Sequence, residues 1–301
     1  MLSIIVCSVN SSKLLKLKEN IAWTIGNNIE YEIIVENNLT NPRPIAKVYN
    51  EAASRAKYPY LLFIHEDAGF ISQNWFRLIE PKLKEKNCGI IGFAGSKVMF
   101  NVPGGWFMDP KWIVVNLNQS GEYCCVNSGE SQPWNEVVAI DGYAMFLRRE
   151  IWKESPFDEE SLTGFHCYDI DFSLCIAKKY KNYVCGIVLT YHESRGNFDK
   201  TWLKETIKLY KNKWKGMLPM MSSDVFINDR KIKNFNERAY FRVIKRIGES
   251  SFIPLSFLWG YLKYPMTFRF MEHWVKILFM QTKAIGRIKL PLPLKQKEKQ
   301  E

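Results

Sequence analysis

The feature that most constrains this chain is a run of four large apolar residues that ends abruptly in three ionisable ones. Residues 61–64 (Leu-Leu-Phe-Ile) predict a strand buried on both faces, and His65, Glu66 and Asp67 follow it directly. Ligands of open α/β sheets bind at the carboxyl ends of the strands. Carboxylate oxygens suit hard divalent cations, and a bound cation can hold a diphosphate. The stretch predicts either a cation site at a sheet edge or an ordinary polar turn, and other parts of the chain decide between them.

Composition and charge divide the chain into a near-neutral body and a basic tail. The 301 residues are 47% hydrophobic and 14% aromatic, which suits one large folded domain or a domain with a sizeable appendage. Residues 231–301 hold 15 Lys and Arg against 5 Asp and Glu, so +10 of the net charge of +11 belongs to this tail. Basicity therefore belongs to the tail and not to the body, and we expect no nucleic-acid partner for the protein.

Cysteine usage and the absence of targeting signals predict a cytoplasmic protein. The seven cysteines form no CxxC pair and several fall in apolar runs, which indicates free thiols in a reducing compartment. Residues 1–7 lack a basic region and are too short for a signal peptide, so they are interpreted as a first strand. No stretch reaches the length of a membrane-spanning helix.

An alternation of strand-like and helix-like segments predicts an α/β sheet. Predicted strands cover residues 1–7, 31–35, 61–64 and 89–93, and predicted helices include residues 14–25, 45–53 and 75–79. This order builds a parallel, doubly wound sheet with helices on both faces. Neither GxGxxG nor GxxxxGK[ST] occurs, which removes the usual support for dinucleotide oxidoreduction and for P-loop chemistry.

The middle of the chain is less regular. In residues 97–135, tryptophans are scattered among turn residues, which predicts loops and short strands over a pocket. The tryptophan rings either pack beneath these loops or stack on a sugar. Residues 137–147 predict a buried strand interrupted by Asp141 and Gly142, and a glycine there permits close approach of a ligand or another backbone.

The last part of the body carries a second group of ionisable residues. Residues 164–172 include Asp169 and Asp171 and run into a predicted helix. Residues 183–188 predict a final core strand, which is closed by His192.

Taken in order, these stretches resemble the inverting, nucleotide-sugar-dependent glycosyltransferases of family 2. The resemblance covers about residues 2–215 and is to the glycosyltransferase-like branch with a His-x-Asp in place of Asp-x-Asp. It is carried by a first strand ending in a polar turn, His65-Glu66-Asp67, the Asp141-Gly142 strand, and residues 165–171 before a late His192. It implies a GT-A fold, a mostly parallel central sheet with flanking helices, over residues 1–216. A basic, aromatic-rich helical appendage with a disordered end would follow over residues 217–301.

The resemblance implies a divalent metal, Mn²⁺ or Mg²⁺, that holds the donor diphosphate. Asp67 would be the direct ligand, and His192 matches the late histidine that completes the metal site. His65 departs from the commoner first aspartate, and neutral imidazole suits Mn²⁺ better than Mg²⁺.

The same resemblance assigns the catalytic base to Asp169, which would take a proton from the acceptor hydroxyl. Asp169 and Asp171 are two residues apart, so on a helix they cannot share a face. Asp171 is therefore expected to be an acceptor contact or a local structural one. The alternative is that both carboxylates simply favour a helix N-terminus.

The remaining implied site residues bind the two substrates. Asp141 and Gly142 match the acceptor-side strand. The positions that match the nucleotide-sugar site are Ser8, Asn10, Glu36, Asn50 and Glu66.

These features predict a cytoplasmic enzyme that transfers a sugar, with UDP as the expected nucleotide, to a saccharide or lipid-linked acceptor in cell-surface polysaccharide synthesis. A sugar-phosphate nucleotidyltransferase would share the sheet and metal, but residues 8–13 lack the Gly-rich basic loop it needs. A non-catalytic saccharide-binding or scaffold module is the other alternative. The tail either packs on the body, in a monomer or an oligomer, or holds the enzyme at an anionic membrane surface.

Overall fold

The computed structural model describes residues 1–129, 131–194, 196 and 199–228, and isolated positions between 231 and 279. The early strands and helices are β1 (Leu2–Ser8), α1 (Ser11–Thr24), β2 (Tyr31–Asn37), α2 (Ile45–Ser54), β3 (Tyr60–Ile64), β4 (Ala68–Phe70), α3 (Trp75–Leu83) and β5 (Cys88–Gly92). The middle elements are β6 (Ala94–Ser96), β7 (Val98–Met99), a 3₁₀ turn (Trp106–Met108), β8 (Ile113–Gln119), β9 (Glu122–Val126), β10 (Trp134–Val137) and β11 (Ala139–Ile140). The last ones are β12 (Ala144–Arg148), α4 (Arg149–Glu154), α5 (Tyr168–Ala177), β13 (Lys181–Cys185), β14 (Thr190–His192), α6 (Lys200–Leu209), a π turn (Tyr210–Trp214) and β15 (Met220–Met221).

A seven-stranded sheet forms the centre, in the order β10-β13-β5-β12-β3-β1-β2. The pairs β1–β2, β1–β3 and β5–β13 are parallel, as the sequence predicts. However, β12 lies antiparallel between β3 and β5, and β10 lies antiparallel beside β13. The α/β sheet with flanking helices is confirmed, but its parallel run is interrupted by a strand that enters from the opposite end.

The central strand β3 is buried on both faces, as predicted. Leu61 and Phe63 belong to one apolar cluster, and Leu62 and Ile64 belong to a second cluster on the other face of the sheet. All four side chains are at most 1% exposed. Each such burial stabilises the fold by roughly 1.5–3 kcal/mol, so β3 fixes the position of whatever follows it.

A second sheet, in the order β11-β6-β8-β14-β4 with β9 paired to β8, covers one end of the first. Residues 97–135 hold loops and short strands, as predicted, but β8 and β9 form a regular antiparallel hairpin that the sequence did not indicate. Local periodicity did not reveal this hairpin, because its exposed strand β9 lacks a continuous apolar face.

The chain crosses between the two sheets at the predicted functional stretches. Residues 65–67 link β3 of the central sheet to β4 of the second sheet, where the backbone amide of His65 donates to Tyr143 O at 2.8 Å. Residues 141–143 link β11 of the second sheet to β12 of the central sheet, in the opposite direction. Strand β14 pairs antiparallel with β4, which sets His192 opposite Ala68. The predicted strand over 137–147 is thus several short strands in two sheets, and its interruption is a crossover.

The division of the chain at residue 216 stays a prediction. The described residues just beyond it pack on the body: β15 pairs with β7, and the Phe235 ring lies 5.8 Å from that of Phe100. Most of the predicted basic, aromatic-rich appendage lies outside the described residues, which include only three isolated positions after residue 240. The predicted disordered end also lies outside them. Within the described part of the chain, no helix combines the length and apolarity needed to cross a membrane.

Candidate active site

A cleft of about 1020 Å³ opens at the crossovers between the two sheets. Among the predicted site residues, those that line it are His65, Glu66, Asp67, Asp141, Gly142, Asp169 and His192. Its size is in the range of pockets that take small molecules and cofactors. The fold therefore brings the predicted metal ligands, base and acceptor-side strand together, although they are far apart in sequence.

Three of these side chains form a group that can hold a metal ion. One ligand atom each of His65, Asp67 and His192 lies within 4.8 Å of the others. Nε2 of His192 is 3.5 Å from Oδ1 of Asp67. Two imidazole nitrogens and a carboxylate oxygen are a donor set that first-row divalent metals accept.

His192 shows why these residues fit a cation. Its side chain is buried, its ring stacks on Tyr143 with centroids 4.7 Å apart, and its Nε2 has no hydrogen-bond partner among the described residues. A buried polar atom left without a partner costs free energy, and a bound metal ion would satisfy it.

The electrostatic environment keeps Asp67 ionised. Burial alone would raise the pKa of Asp67, but the imidazoles of His192 and His65 and the ammonium of Lys13 together lower it below its usual value. Lys13 Nζ lies 3.5 Å from Oδ2 of Asp67 and 3.4 Å from Oε2 of Glu193. An anionic carboxylate surrounded by cationic or neutral nitrogen groups is ready to bind a metal ion at neutral pH.

His65 is held by a buried tyrosine. Its Nε2 lies 2.7 Å from the hydroxyl oxygen of Tyr168, which also lies 3.2 Å from the carbonyl oxygen of Gly142. Burial, reinforced by the neighbouring His192, lowers the pKa of His65 to about 4. The ring is therefore neutral at physiological pH, which is the state that ligates metals.

Asp169 lines the same cleft from the first turn of α5. Its Oδ2 accepts a hydrogen bond from the backbone amide of Gly142 at 3.2 Å. Burial, reinforced by the like charge of Asp141, raises the pKa of Asp169 to about 7. A carboxylate with a pKa near neutrality is a competent proton acceptor, because it is partly ionised yet basic enough to hold a proton.

Asp141 and Gly142 form the wall between the metal group and Asp169. Asp141 accepts from Trp106 Nε1 at 3.0 Å and from the backbone amide of Tyr143 at 3.1 Å. A Cβ at position 142 would overlap the hydroxyl of Tyr168 and lie 2.9 Å from Cβ of Asp169. Glycine is therefore required here by close packing.

The turn after β1 is tied to the crossover at residues 65–67. Oε2 of Glu66 accepts from Ser8 Oγ at 2.6 Å and from the backbone amide of Asn10 at 3.0 Å. The side chain of Asn10 caps α1 by accepting from the amides of Ser12 and Lys13. Glu66 thus fixes the loop predicted to bind the nucleotide, and its own binding role, like those of Ser8 and Asn10, stays a prediction.

Five predicted site residues do not line the cleft: Ser8 and Asn10, which lie in the turn tied to Glu66, and Glu36, Asn50 and Asp171. Glu36 is bound by the guanidinium groups of Arg43 and Arg55. The Asn50 side chain donates to the carbonyl of Phe157 at 2.9 Å and accepts from that residue's amide at 3.1 Å. These contacts give Glu36 and Asn50 structural roles, and their predicted part in nucleotide binding stays a prediction.

Asp171 also lies outside the cleft. It is 1% exposed, and its two oxygens accept from Lys213 Nζ at 2.7 Å and Trp214 Nε1 at 2.8 Å. Of the two expectations for Asp171, the local structural contact agrees with this environment and the acceptor contact does not. As expected, Asp169 and Asp171 point in different directions from the helix.

Sequence reasoning overlooked several residues of the site. Lys13, Trp106, Tyr143 and Tyr168 all contact predicted site residues. Trp106 is one of the tryptophans predicted to lie over a pocket, although its contact with Asp141 was not predicted. For the two tyrosines the only local signal was adjacency, since Tyr143 follows Asp141-Gly142 and Tyr168 precedes Asp169. Lys13 gave no signal, because a lysine in the first turn of a helix is ordinarily a solvated residue.

Comparisons with known proteins agree with this geometry. A family model described as "Glycosyltransferase like family" matches residues 3–215. Among curated proteins, none matches the sequence significantly.

Solved structures resemble the chain at low sequence identity. S. aureus TarS is similar at a TM-score of 0.50 and 11% identity, over 94% of this chain and 49% of that one. The chain therefore spans about half the length of TarS. The mannosyltransferase PcManGT from Pyrobaculum calidifontis, solved with GDP-Man and Mn²⁺, has a TM-score of 0.48 and 12% identity, over 95% of this chain and 86% of that one. At such identities the likeness to TarS supports the fold alone.

Proposed function

Since the chain belongs to the glycosyltransferase-like family, we propose that it is a metal-dependent inverting enzyme that moves a sugar from a nucleotide diphosphate to a saccharide or lipid-linked acceptor. The observation that carries this proposal is the meeting of two groups in one cleft. One is the His65, Asp67 and His192 cluster, and the other is Asp169, whose pKa lies near 7.

The chain's own residues divide the chemistry between them. His65, Asp67 and His192 would hold the divalent cation. When bound, that cation supplies positive charge against the negative charge that grows on the departing diphosphate. Asp169 accepts the acceptor's hydroxyl proton as the oxygen bonds to the anomeric carbon and the bond to the diphosphate breaks. One base with no covalent nucleophile gives a single displacement, which inverts the anomeric centre.

Residues in the walls of the cleft position the acceptor and the base. Asp141, held by Trp106 and the amide of Tyr143, lies next to the base and offers a carboxylate to acceptor hydroxyls. The amide of Gly142 orients the carboxylate of Asp169. A fixed base within hydrogen-bond reach of the acceptor lowers the entropic cost of the transfer.

The decisive experiment is a thermal-shift panel of UDP- and GDP-sugars, each with and without Mn²⁺. A ligand at 100 times its Kd stabilises the folded state by about 2.7 kcal/mol. We expect a rise in melting temperature for at least one nucleotide sugar, and only when the metal is present. No shift for any donor with Mn²⁺, together with no release of free nucleotide diphosphate on prolonged incubation, would contradict the proposal.

Two other functions share part of this geometry. A sugar-phosphate nucleotidyltransferase would release pyrophosphate from a nucleoside triphosphate, but the turn at residues 8–13 is polar and is occupied by Glu66 instead of forming a Gly-rich phosphate loop. A scaffold module would bind saccharide without turnover. Product analysis separates all three, because only a glycosyltransferase releases a nucleoside diphosphate and elongates an acceptor.

The cellular setting is part of the same proposal. A lipid-linked acceptor in cell-surface polysaccharide synthesis would lie at the cytoplasmic face of a membrane, and residues 231–301 carry a net charge of +10. Each basic residue near an anionic surface contributes on the order of 1 kcal/mol, screened by salt. Co-sedimentation with anionic vesicles at low salt tests this. If the full chain stayed in the supernatant while retaining its fold, the tail would instead be a packing or assembly surface.

A further inference from the structure

Tyr168 contacts the metal group formed by His65, Asp67 and His192 but is not one of its ligand residues. Its side chain is buried, and its hydroxyl oxygen is placed between two partners, Nε2 of His65 at 2.7 Å and the carbonyl oxygen of Gly142 at 3.2 Å. The mechanism proposed above gives this tyrosine no role. Its position between a metal-group histidine and the wall of the cleft nevertheless determines how that histidine can act.

The donor and the acceptor in each hydrogen bond of the Tyr168 hydroxyl follow from the chemistry of its two partners. A carbonyl oxygen only accepts hydrogen bonds, so the single hydroxyl proton of Tyr168 goes to Gly142. The hydroxyl oxygen then accepts from His65, which places the N–H of the neutral ring on Nε2. A tyrosine hydroxyl ordinarily keeps its proton at neutral pH. With Nε2 engaged in this way, Nδ1 is the nitrogen whose lone pair remains for a cation.

We propose that Tyr168 is a positioning residue that holds His65 in its Nε2–H tautomer and so makes Nδ1 the metal-binding nitrogen. The inference rests on the proposed metal-dependent function. Such outer partners orient ligating histidines and typically change metal affinity by 10–100-fold when removed.

The same residue connects the metal group to the base. Gly142 accepts from Tyr168 through its carbonyl and donates through its amide to Asp169, the next residue along α5. A Cβ at position 142 would overlap the Tyr168 hydroxyl, so the contact depends on glycine. Two consecutive residues, Tyr168 and Asp169, thus hold His65 and supply the base from one rigid helical turn.

The first test reads the tautomer directly in the wild-type chain without metal. Nitrogen-15 NMR of labelled histidine distinguishes a protonated from an unprotonated ring nitrogen, and the signal of His65 is identified by its loss in His65→Gln among the four histidines of the chain. We expect Nε2 to be protonated. A His65 ring protonated at Nδ1 would overturn the inference, because Nε2 would then be accepting from Tyr168. This measurement does not depend on any Tyr168 variant folding.

The second test measures Mn²⁺ affinity by electron paramagnetic resonance of the free ion, with no sugar donor present. We expect the Kd of Mn²⁺ to rise by about 10-fold in Tyr168→Phe. Tyr60→Phe is the matched control, because Tyr60 begins the strand that ends before His65 and lies at its opposite end. Thermal melts confirm that both variants are folded.

The outcomes separate this inference from the proposed function. Normal wild-type binding with an unchanged Kd in Tyr168→Phe would overturn the positioning role alone. A wild-type chain that binds no Mn²⁺ would remove the proposed metal dependence and the positioning role with it. A Kd that rises equally in Tyr60→Phe would show a general loss of structure and would also count against Tyr168.

Discussion

Replacing Asp169 with asparagine should strongly slow transfer and, above neutral pH, stabilise the protein. The pKa of this carboxyl is raised from 3.8 to about 7 by burial and by the nearby charge of Asp141. A raised pKa means that the folded state binds the proton more tightly than the unfolded chain. The resulting stability is fully present below the unfolded pKa and is lost as the pH rises through about 7. The asparagine side chain carries no charge at any of these pH values and so avoids that loss.

The size of the stabilisation by Asp169→Asn follows from the pKa shift of Asp169. About three pKa units at 1.36 kcal/mol each set an upper limit of about 4 kcal/mol. Because Asp169 lines an open cleft, solvent reduces this figure, and we expect about 2 kcal/mol at pH 8. With an unfolding entropy of about 2.1 cal/mol/K per residue, this corresponds to a rise of roughly 3 °C in the melting temperature. The difference should shrink towards zero near pH 4.

Two assays check the prediction on the same sample. Scanning calorimetry from pH 4 to pH 8 gives the difference in melting temperature, and steady-state kinetics give kcat, which should fall by about 10²–10⁴-fold with donor binding retained. Equal melting temperatures at pH 8 would show that the carboxyl is not perturbed. A kcat close to that of the wild type would show that Asp169 is not the base.

Three further changes test other parts of the site. Asp67→Ala should remove Mn²⁺-dependent UDP binding while leaving the fold intact, and calorimetry showing equal UDP affinity with and without Mn²⁺ in the wild type would contradict the metal assignment. Gly142→Ala should lower kcat by at least about 10-fold, since the added Cβ overlaps Tyr168 and crowds Asp169; a structure of the variant with both side chains unmoved would show that the packing argument is wrong. Lys213→Met should destabilise the protein by about 3 kcal/mol because it leaves the buried carboxylate of Asp171 without its cationic partner. Lys213→Met combined with Asp171→Asn should recover much of this loss in urea unfolding, whereas additive losses would refute the pairing.

The core strands and the residues at their ends could be predicted from local sequence. Apolar runs such as residues 61–64 can be stable only between two apolar layers, so burial on both faces was predictable from the residue types of the run alone. The ionisable residues that follow such a run must lie where the strand leaves the core. This local logic, with the resemblance to a known family, predicted the fold class and placed His65, Asp67, Asp169 and His192 at a common edge.

How these edges meet could not be predicted in the same way. The antiparallel insertion of β12 and the second sheet depend on pairing between strands that are distant in sequence, which local periodicity does not encode. The two crossovers at residues 65–67 and 141–143 exist because β4 and β11 belong to a different sheet from β3 and β12. That arrangement brings Tyr168 to His65 and Lys13 to Asp67.

The direction of each polar side chain likewise depends on tertiary packing. Helical geometry predicted that Asp169 and Asp171 would diverge, but the packing of α5 against the sheet and the π turn determines which carboxylate faces the cleft and which meets Lys213 and Trp214. A carboxylate offers the same chemistry wherever it lies. Its surroundings, which are assembled from remote segments, set its pKa and its partners and therefore its role.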